Sequence, residues 1–392
     1  MKKLLTVLLA VLMLVSFVGC QKEQDPAVDE TTAEKAARIQ KEILSKIEPD
    51  LSVTGTLVVY SPNSNGEINA IRPGFTTLYP NVTLQIISLG TGDCLSRIAA
   101  EAENPQCDVM WGGMNFEKWY NNQGLWENYE SPNEANIDVD SAKTANQGEG
   151  RGYFTSYGLS GNTAFIINTE VLEELGLKVE DITGYQSLID NMDKLKGQVL
   201  TGDPVKSSSA WQELVAMMYV YGGATNNDFA SIDQEKGFAY VEKFIELVDG
   251  NVLSSSSAVY KNVIAGEAAI GVTYEDPALQ AVKDEVENIT MIYPKEGNNW
   301  TPCAAAIVKD GPNTELAKKF IDFLISDVGQ DLYTCTTLRT VVKAKTNIVE
   351  GFKSFDEIPN IFDQDQLYIA ANYTKPWKAK WTEILDAYLA KK

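Results

Sequence analysis

The stretch GTGDCLSRIAAEAENPQCDVMWGG, residues 90–113, contains one complete unit of an α/β fold. A Gly-Thr-Gly turn opens a segment whose apolar residues fall on one helical face, which predicts a helix over residues 93–103. The apolar run DVMW, residues 108–111, predicts a strand that ends on Gly112 and Gly113. A strand that follows a helix in this way is typical of a parallel sheet with helices on its faces.

The same alternation of strands and helices extends along the chain in both directions. Strands are predicted at residues 56–61, 82–88, 164–168, 198–203, 268–274, 291–294 and 303–308, and helices at 66–79, 209–221 and 235–249. A further helix follows the last strand, and Asn313 is its predicted N-cap. The pattern predicts an α/β fold in which mostly parallel sheets are flanked by helices.

Length and charge limit the possible classes of protein. The chain has 392 residues, and the 372 that follow residue 20 exceed what one hydrophobic core usually supports, which predicts two lobes. The formal net charge of −21 makes nucleic acid and anionic lipid unlikely partners, because both repel an acidic surface.

The first residues carry the pattern of an exported protein. Lys2 and Lys3 precede an apolar run, residues 4–18, that is long enough for a signal peptide and short for a membrane span. The run ends at Cys20 in a sequence that resembles a bacterial lipobox, although Phe17 departs from the usual leucine. We therefore predict a signal peptide over residues 1–19 and lipidation of Cys20. Residues 20–50 are predicted to form a tether that ends in a short amphipathic helix, after which no apolar run of membrane length occurs.

Four cysteines follow Cys20, and they allow three pairings. Cys303 opens a predicted strand and Cys335 follows a predicted helix of about 18 residues that returns along it, so a Cys303–Cys335 disulfide is expected. A Cys94–Cys107 bond is less favourable. The intervening helix separates its ends by about 12 Å, whereas a disulfide needs Cα atoms within about 7 Å. Buried free thiols are the alternative. The chain has no histidine, and the cysteine spacing does not indicate a metal site.

Polar and small residues collect where the predicted strands end. Ligands of open α/β sheets bind beyond the carboxyl ends of the strands, where helix N-termini also point and favour anions. Three serines at one such turn exceed what a single N-cap needs. The residues at these ends are Ser61, Asn63, Thr91, Gly92, Trp111, Gly112, Gly113, Ser207, Ser208, Ser209, Tyr274, Glu275 and Asp276.

The order of these pieces resembles the solute-binding proteins of ABC importers. The segments that carry the likeness include YSPNSNGE, GTGD, NPQCDVMWGG, SGNTAFIIN, GDPVKSSSAWQEL, GVTYEDPA and YPKEG, and they extend from about residue 55 to the C-terminus. Within that family, the chain is most similar to the cluster that includes ferric-iron, aminoethylphosphonate and hexose-phosphate binders.

The resemblance implies a two-lobe periplasmic-binding-protein fold of type II, with a ligand cleft between the lobes. Lobe 1 would comprise residues 51–155 and about 290–310, and lobe 2 would comprise residues 156–289. The chain would pass from one lobe to the other near residues 150–160 and 285–295. Residues 311–392 would pack on the lobes and hinge. The implied partners are a small solute and the permease and ATPase of the importer, with the protein itself a monomer.

The resemblance leaves two ligand classes open. In organophosphate and phosphonate binders, hydroxyls and helix N-termini hold the anion while carboxylates take the other end. The resemblance implies that the anionic group of the ligand contacts Ser61, Thr91 and Ser207 to Ser209. The opposite end of the ligand would contact Glu275, Asp276 and Glu296. Ferric iron is the alternative, but iron-binding relatives use adjacent tyrosines, and Tyr274 has no tyrosine beside it.

Two other classes are less favoured by the sequence. An enzyme is not expected, because the chain lacks a G-x-S-x-G elbow, a histidine base and a metal-ligand cluster. A surface lipoprotein without a transport role would show no stabilisation by small molecules. No cofactor is predicted.

Overall fold

The computed structural model describes residues 30–139, 142–143, 148–349 and 352–392. The predicted signal peptide, the lipidation at Cys20 and residues 20–29 of the predicted tether lie outside these residues. Residues Thr32–Lys392 form one compact unit, which contains all the elements named below.

The described elements alternate much as the sequence predicts. The strands are β1 Gly55–Ser61, β2 Val82–Ser88, β3 Val109–Met114, β4 Thr155–Gly161, β5 Ala164–Asn168, β6 Val199–Gly202, β7 Val252–Leu253, β8 Ile270–Thr273, β9 Ile289–Ile292, β10 Asn298–Ile307, β11 Arg339–Thr340 and β12 Ile361–Phe362. The helices are α1 Thr32–Ser45, α2 Asn65–Leu78, α3 Thr91–Ala100, α4 Phe116–Asn121, α5 Thr169–Glu174, α6 Tyr185–Asp190, α7 Met192–Leu195, α8 Ser208–Tyr221, α9 Gln234–Leu247, α10 Ser256–Ile264, α11 Glu275–Lys283, α12 Thr314–Leu324, α13 Asp327–Tyr333, α14 Gln366–Asn372 and α15 Thr374–Leu389.

Lobe 1 is built around a seven-stranded sheet of order β11-β4-β10-β3-β1-β2, with β12 beside β10. Strand β1 is parallel to β2 and β3, so the carboxyl ends of these three strands lie at one edge of the sheet. Strand β10 is antiparallel to both β3 and β4. The edge formed by β1, β2 and β3 is where the first three predicted ligand-binding turns lie.

Lobe 2 is built around a five-stranded sheet of order β7-β6-β8-β5-β9. Strand β6 is parallel to β7 and β8, whereas β5 is antiparallel to β8 and β9. The α/β class is therefore confirmed, but the sheets are mixed rather than mostly parallel. The antiparallel pairs arise largely because β4, β5, β9 and β10 belong to the segments that pass between the lobes.

The chain passes between the two sheets over short segments. The first passage lies between Gly161 and Ala164, and the second lies between Ile292 and Asn298. The crossings implied by the resemblance were near residues 150–160 and 285–295. A later passage returns the chain to lobe 2 after β12, where Trp377 and Trp381 of α15 are buried in the lobe 2 core.

Helix α12 shows how local sequence positions these elements. The side chain of Asn313 accepts a hydrogen bond from the Leu316 amide (3.3 Å), which confirms the predicted cap. The apolar face of the helix is buried in the lobe 1 core. The predicted long helix is interrupted, however, because Ser326 caps a separate helix, α13.

The four described cysteines are free thiols, so the expected Cys303–Cys335 disulfide is wrong, and for Cys94 and Cys107 the free-thiol alternative applies. Cys94 and Cys107 are buried in the apolar cluster beneath α3, where the Cys107 thiol donates to the Val109 carbonyl (3.1 Å). Cys303 faces the cleft between the lobes, whereas Cys335 follows α13 beside Thr334. The break between α12 and α13 changes the path of the chain that was expected to bring Cys335 back to Cys303.

Candidate functional site

A cleft of about 490 Å³ lies between the lobes, and both lobes line it. Lobe 1 contributes Pro62, Asn63, Ser64, Glu67, Gly90, Thr91, Gly92, Asp93, Gly113, Met114 and Asn115. Lobe 2 contributes Lys206, Ser207, Ser208, Ser209, Gln212, Ser254, Ser255, Ser256, Ser257, Tyr274 and Asp276. Ser160, Asn162, Thr301, Pro302, Cys303 and Leu338 line the side where the chain crosses between the lobes.

The first turns of five helices border this cleft. They belong to α2 and α3 of lobe 1 and to α8, α10 and α11 of lobe 2. The free amides and positive dipole end of a helix N-terminus favour an anion. Lys206 also lines the cleft, but its side chain is 64% exposed and is paired with Asp203 (3.3 Å), so the dipoles provide most of the buried positive potential.

Hydroxyl groups from two helices form one wall. The Ser207 hydroxyl caps α8 by accepting from the Ala210 amide (3.3 Å) and is hydrogen-bonded to Ser256 of α10 (2.7 Å). Ser209 contacts both Ser207 (3.1 Å) and Ser256. Ser208 is exposed towards the cleft. The wall can therefore donate several hydrogen bonds to an acceptor group in the cleft.

Two glycines near the end of β3, Gly112 and Gly113, lie close to the turns that follow β1 and β2. Both have positive φ, +94° and +69°. A Cβ atom on Gly112 would lie 1.8 Å from Oδ1 of Asn63, and one on Gly113 would lie 2.7 Å from Oγ1 of Thr91. Only glycine allows the strand end to pass this close to the two preceding turns.

The structure brings most of the predicted residues together in the cleft. Those that line it are Asn63, Thr91, Gly92, Gly113, Ser207, Ser208, Ser209, Tyr274 and Asp276. Ser61, Trp111, Gly112, Glu275 and Glu296 are not among the lining residues.

Each of these exceptions has another role in the structure. The Ser61 hydroxyl donates to the Trp111 carbonyl (2.7 Å), and the Trp111 indole donates to the Tyr333 hydroxyl (3.2 Å), so both side chains are fixed in the lobe 1 interior. Glu296 accepts from the amides of Tyr185 (3.1 Å) and Gln186 (2.9 Å) at the start of α6. Glu296 therefore lies at the start of α6 and not among the residues that line the cleft.

Glu275 forms a buried ion pair that joins the lobes. Its carboxylate, at the start of α11, accepts from Nε of Arg339 (3.1 Å) in β11 and from the Gly161 amide (3.3 Å). The side chains of Arg339 and Glu275 are only 4% and 1% exposed. The guanidinium also lies over aromatic rings, 4.2 Å from the centroid of Phe352 and 4.5 Å from that of Trp300. Glu275 thus holds lobe 2 to lobe 1 rather than facing the solute.

A buried carboxyl group, Glu67, and a half-buried one, Asp276, line the cleft without an ion-pair partner among the described residues. Glu67 Oε1 accepts from the side-chain amide of Asn63 (2.8 Å), and burial raises the pKa of Glu67 to about 8. Asp276 accepts from the Thr337 hydroxyl, and burial raises its pKa as well. Burial also raises the pKa of Tyr274 well above its usual value.

The sequence analysis missed several lining residues. Ser254 to Ser257 form a run of four serines that leads into α10, a signal that could have been found by the argument used for Ser207 to Ser209. Glu67 lies within the quoted YSPNSNGE segment. Asn162, Thr301 and Cys303 had no local signal, because the crossing of the strands brings them into the cleft.

A cleft between two α/β lobes, bordered by helix N-termini, defines the class of two-lobe solute-binding proteins. The chain belongs to the bacterial extracellular solute-binding protein family, whose model matches residues 73–351. It is therefore an exported solute-binding component of an ABC importer. Among the residues that the structure describes, none of the helices combines the length and apolarity needed to cross a membrane.

Known proteins resemble the chain in sequence and in fold. An uncharacterised protein of Haemophilus influenzae is 28% identical over 280 residues, which cover 71% of this chain and 75% of that protein. Iron uptake protein A1 of Synechocystis is 30% identical over 196 residues, 46% of this chain and 49% of that protein. The periplasmic binding protein AfuA of Actinobacillus pleuropneumoniae, solved with fructose 6-phosphate bound, has a TM-score of 0.71 at 24% identity and covers 85% of this chain and 99% of its own.

Proposed function

We propose that the cleft captures a small anionic solute, an organophosphate, phosphonate or sugar phosphate, by closure of the lobes and delivers it to the permease. The observation that carries the proposal is the set of five helix N-termini that border one cleft, together with the serine wall of α8 and α10. Such donors suit phosphoryl oxygens. The sugar phosphate bound by AfuA is consistent with this class of ligand.

We expect organic phosphates to stabilise the purified protein against heat. A ligand that binds only the folded state adds RT ln(1 + [L]/Kd), about 2.7 kcal/mol at a hundredfold excess over Kd. A thermal-shift screen with inorganic phosphate, 2-aminoethylphosphonate, glycerol 3-phosphate and fructose 6-phosphate, with the matching uncharged compounds as controls, measures this effect. Mass spectrometry of small molecules that remain with the freshly purified protein identifies the natural solute. A protein that responds to none of the anions would contradict the proposal.

Ferric iron is the second candidate, favoured by the resemblance to iron uptake protein A1. Of the described tyrosines, Tyr274 alone lines the cleft, and its raised pKa disfavours the tyrosinate that Fe(III) prefers. No group of three or more histidine, cysteine or acidic residues in the described part of the chain is arranged to hold a metal ion. We expect no visible tyrosinate-to-iron band when Fe(III) and carbonate are added. A strong band that Tyr274→Phe removes would establish the iron alternative.

We further propose that Cys20 anchors the protein to the membrane through lipid and that the protein is a monomer without enzymatic activity or cofactor. The lipobox-like sequence supports the anchor. Mass spectrometry of the membrane-associated protein would detect the lipid on Cys20, and replacement of Cys20 by alanine would release the protein from the membrane fraction.

A further inference from the structure

Helix α11 is attached to lobe 1 at both of its ends, although its core-facing side belongs to lobe 2. On that side, Ala278 and Ala281 pack with Ile166 of β5 in an apolar cluster of lobe 2. The attachments to lobe 1 are made to a short stretch after α13, residues 335–339, which we call the contact segment. A helix that is held by both lobes in this way restricts how one lobe can move relative to the other.

The start of α11 is attached where the chain passes between the lobes. Glu275 accepts hydrogen bonds from Nε of Arg339 in the contact segment (3.1 Å) and from the Gly161 amide (3.3 Å). It also accepts from the hydroxyl of Tyr293. Gly161 ends β4 and Tyr293 directly follows β9, so the two residues lie at the two passages described above. This attachment therefore lies at the hinge between the lobes.

Two further hydrogen bonds join α11 to the contact segment. In the first turn, the Asp276 carboxylate accepts from the Thr337 hydroxyl. In the last turn, the Lys283 ammonium donates to the Cys335 carbonyl (3.0 Å) just beyond the end of α13, where the free carbonyl groups of a helix favour a cation. Asp276 and Lys283 are separated by about 10 Å along the helix axis. The two attachments are therefore well apart.

The contact segment is itself fixed in lobe 1. The side-chain amide of Asn347 donates to the carbonyls of Thr336 (3.0 Å) and Leu338 (2.7 Å). The Leu338 side chain is buried in the lobe 1 core, and Arg339 belongs to β11, which pairs with β4. Helix α11 is thus attached to a well-supported part of lobe 1 at each end.

We infer that the lobes rotate about the long axis of α11, and that Lys283, outside the cleft, is a positioning residue for capture of the solute. A rotation that preserves two separate contacts must have its axis through both, and the contacts of Asp276 and Lys283 lie at opposite ends of one helix. Such a rotation changes the separation between the serine wall of lobe 2 and the turns of lobe 1. The part that concerns the solute rests on the proposed function. Without the Lys283 contact, lobe 2 is held only at the hinge and can also tilt.

Distances between the lobes of the ligand-free protein test the rotation axis directly. Spin labels on the exposed residues Glu103 of lobe 1 and Glu242 of lobe 2 report the distribution of these distances. Lys283→Met should broaden the distribution about twofold, because it adds a tilting movement to the hinge rotation. Lys194→Met is the matched control and should leave the width unchanged, since Lys194 donates to the Gly176 carbonyl at the same distance (3.0 Å) within lobe 2.

The first turn of α11 gives a second, independent variant. The Thr337 side chain is buried, and Thr337→Val removes its hydrogen bond to Asp276 while it keeps the shape of the side chain. The distance distribution should broaden in Thr337→Val and return to the wild-type width in Thr337→Ser, which restores the hydroxyl. An unchanged width in either Lys283→Met or Thr337→Val would overturn the inference, and so would equal broadening in Lys194→Met.

Calorimetry with fructose 6-phosphate tests the positioning role of Lys283, which does not line the cleft. When lobe 2 can tilt, a smaller fraction of the protein has the arrangement that binds, and the apparent Kd rises in proportion. We expect the affinity to fall by about 3- to 10-fold in Lys283→Met and to stay unchanged in Lys194→Met. Wild-type affinity in Lys283→Met would overturn the positioning role. If the distance result holds but none of the anions in the screen binds, the proposed function fails while the rotation axis stands.

Discussion

Replacing Arg339 by methionine is expected to lower the free energy of unfolding by about 3–5 kcal/mol, the cost typical of breaking a buried ion pair from one side. The substitution keeps an apolar side chain among the rings of Trp300 and Phe352 but removes the cation from Glu275, whose side chain is 1% exposed. Most of the lost stability comes from leaving the Glu275 carboxylate buried without a cation, and less comes from the lost attraction between the two side chains. Urea unfolding of the ligand-free protein measures the change in the free energy of unfolding.

Two matched variants isolate the cause. Arg151→Met removes a cation from the exposed pair with Glu130, whose side chains are 61% and 48% exposed, and should cost at most about 1 kcal/mol. The double variant Arg339→Met/Glu275→Leu should recover much of the loss, because no buried charge is left without a partner. If Arg339→Met were no more damaging than Arg151→Met, the ion pair could not be what holds α11 to lobe 1.

The double variant Thr91→Ala/Ser208→Ala is expected to weaken solute binding while the protein stays folded. Each hydroxyl lines the cleft at the N-terminus of a helix, Thr91 in lobe 1 and Ser208 in lobe 2. A hydrogen bond to a charged group contributes about 1.5–3 kcal/mol. Loss of two such bonds should therefore reduce the affinity by a factor on the order of 10² to 10⁴. Calorimetry with the anion that gives the largest thermal shift measures this change.

The expected stability of this variant follows from its environment. Ser208 is exposed, Thr91 is half-buried, and neither side chain is part of the hydrogen bonds that cap α3 or α8. Ser207→Ala is a useful contrast, because it removes the cap of α8 and should cost about 1 kcal/mol of stability. Ser45→Ala/Thr382→Ala removes two hydroxyls outside the cleft and should leave binding unchanged. Wild-type affinity in the Thr91/Ser208 variant would exclude both residues from the site.

The fold was predictable where an apolar run is bounded by turn residues. Strands β2 and β5 have the predicted bounds, and Asn313 caps the predicted helix. Strand β10 was predicted too short, because its first residues, NNWTP, are polar or contain proline and lack the pattern of a buried strand. The antiparallel pairing of β10 with β3 and β4 depends on residues far apart in the chain, and no local pattern reports it.

The site was predictable where it consists of turns at strand ends. Thr91 and Ser207 to Ser209 are local signals, since hydroxyls and glycines at the start of a helix have few structural reasons to cluster. Glu275 and Asp276 are adjacent in sequence but have different environments, and the sequence could not distinguish them. The partner of Glu275 is Arg339, 64 residues away. The role of Glu275 therefore depends on the packing of the two lobes and has no local signal in the sequence.

The late return of the chain to lobe 2 has a consequence for secretion. The lobe 2 core combines Phe165 and Trp211 with Trp377 and Trp381 of α15, so residues more than 200 positions apart in sequence complete one apolar interior. A nascent or partly translocated chain that has not yet released α15 lacks these aromatic side chains and cannot close that interior. Lobe 2 should therefore reach its stable packing only after α15 has emerged from the translocation channel.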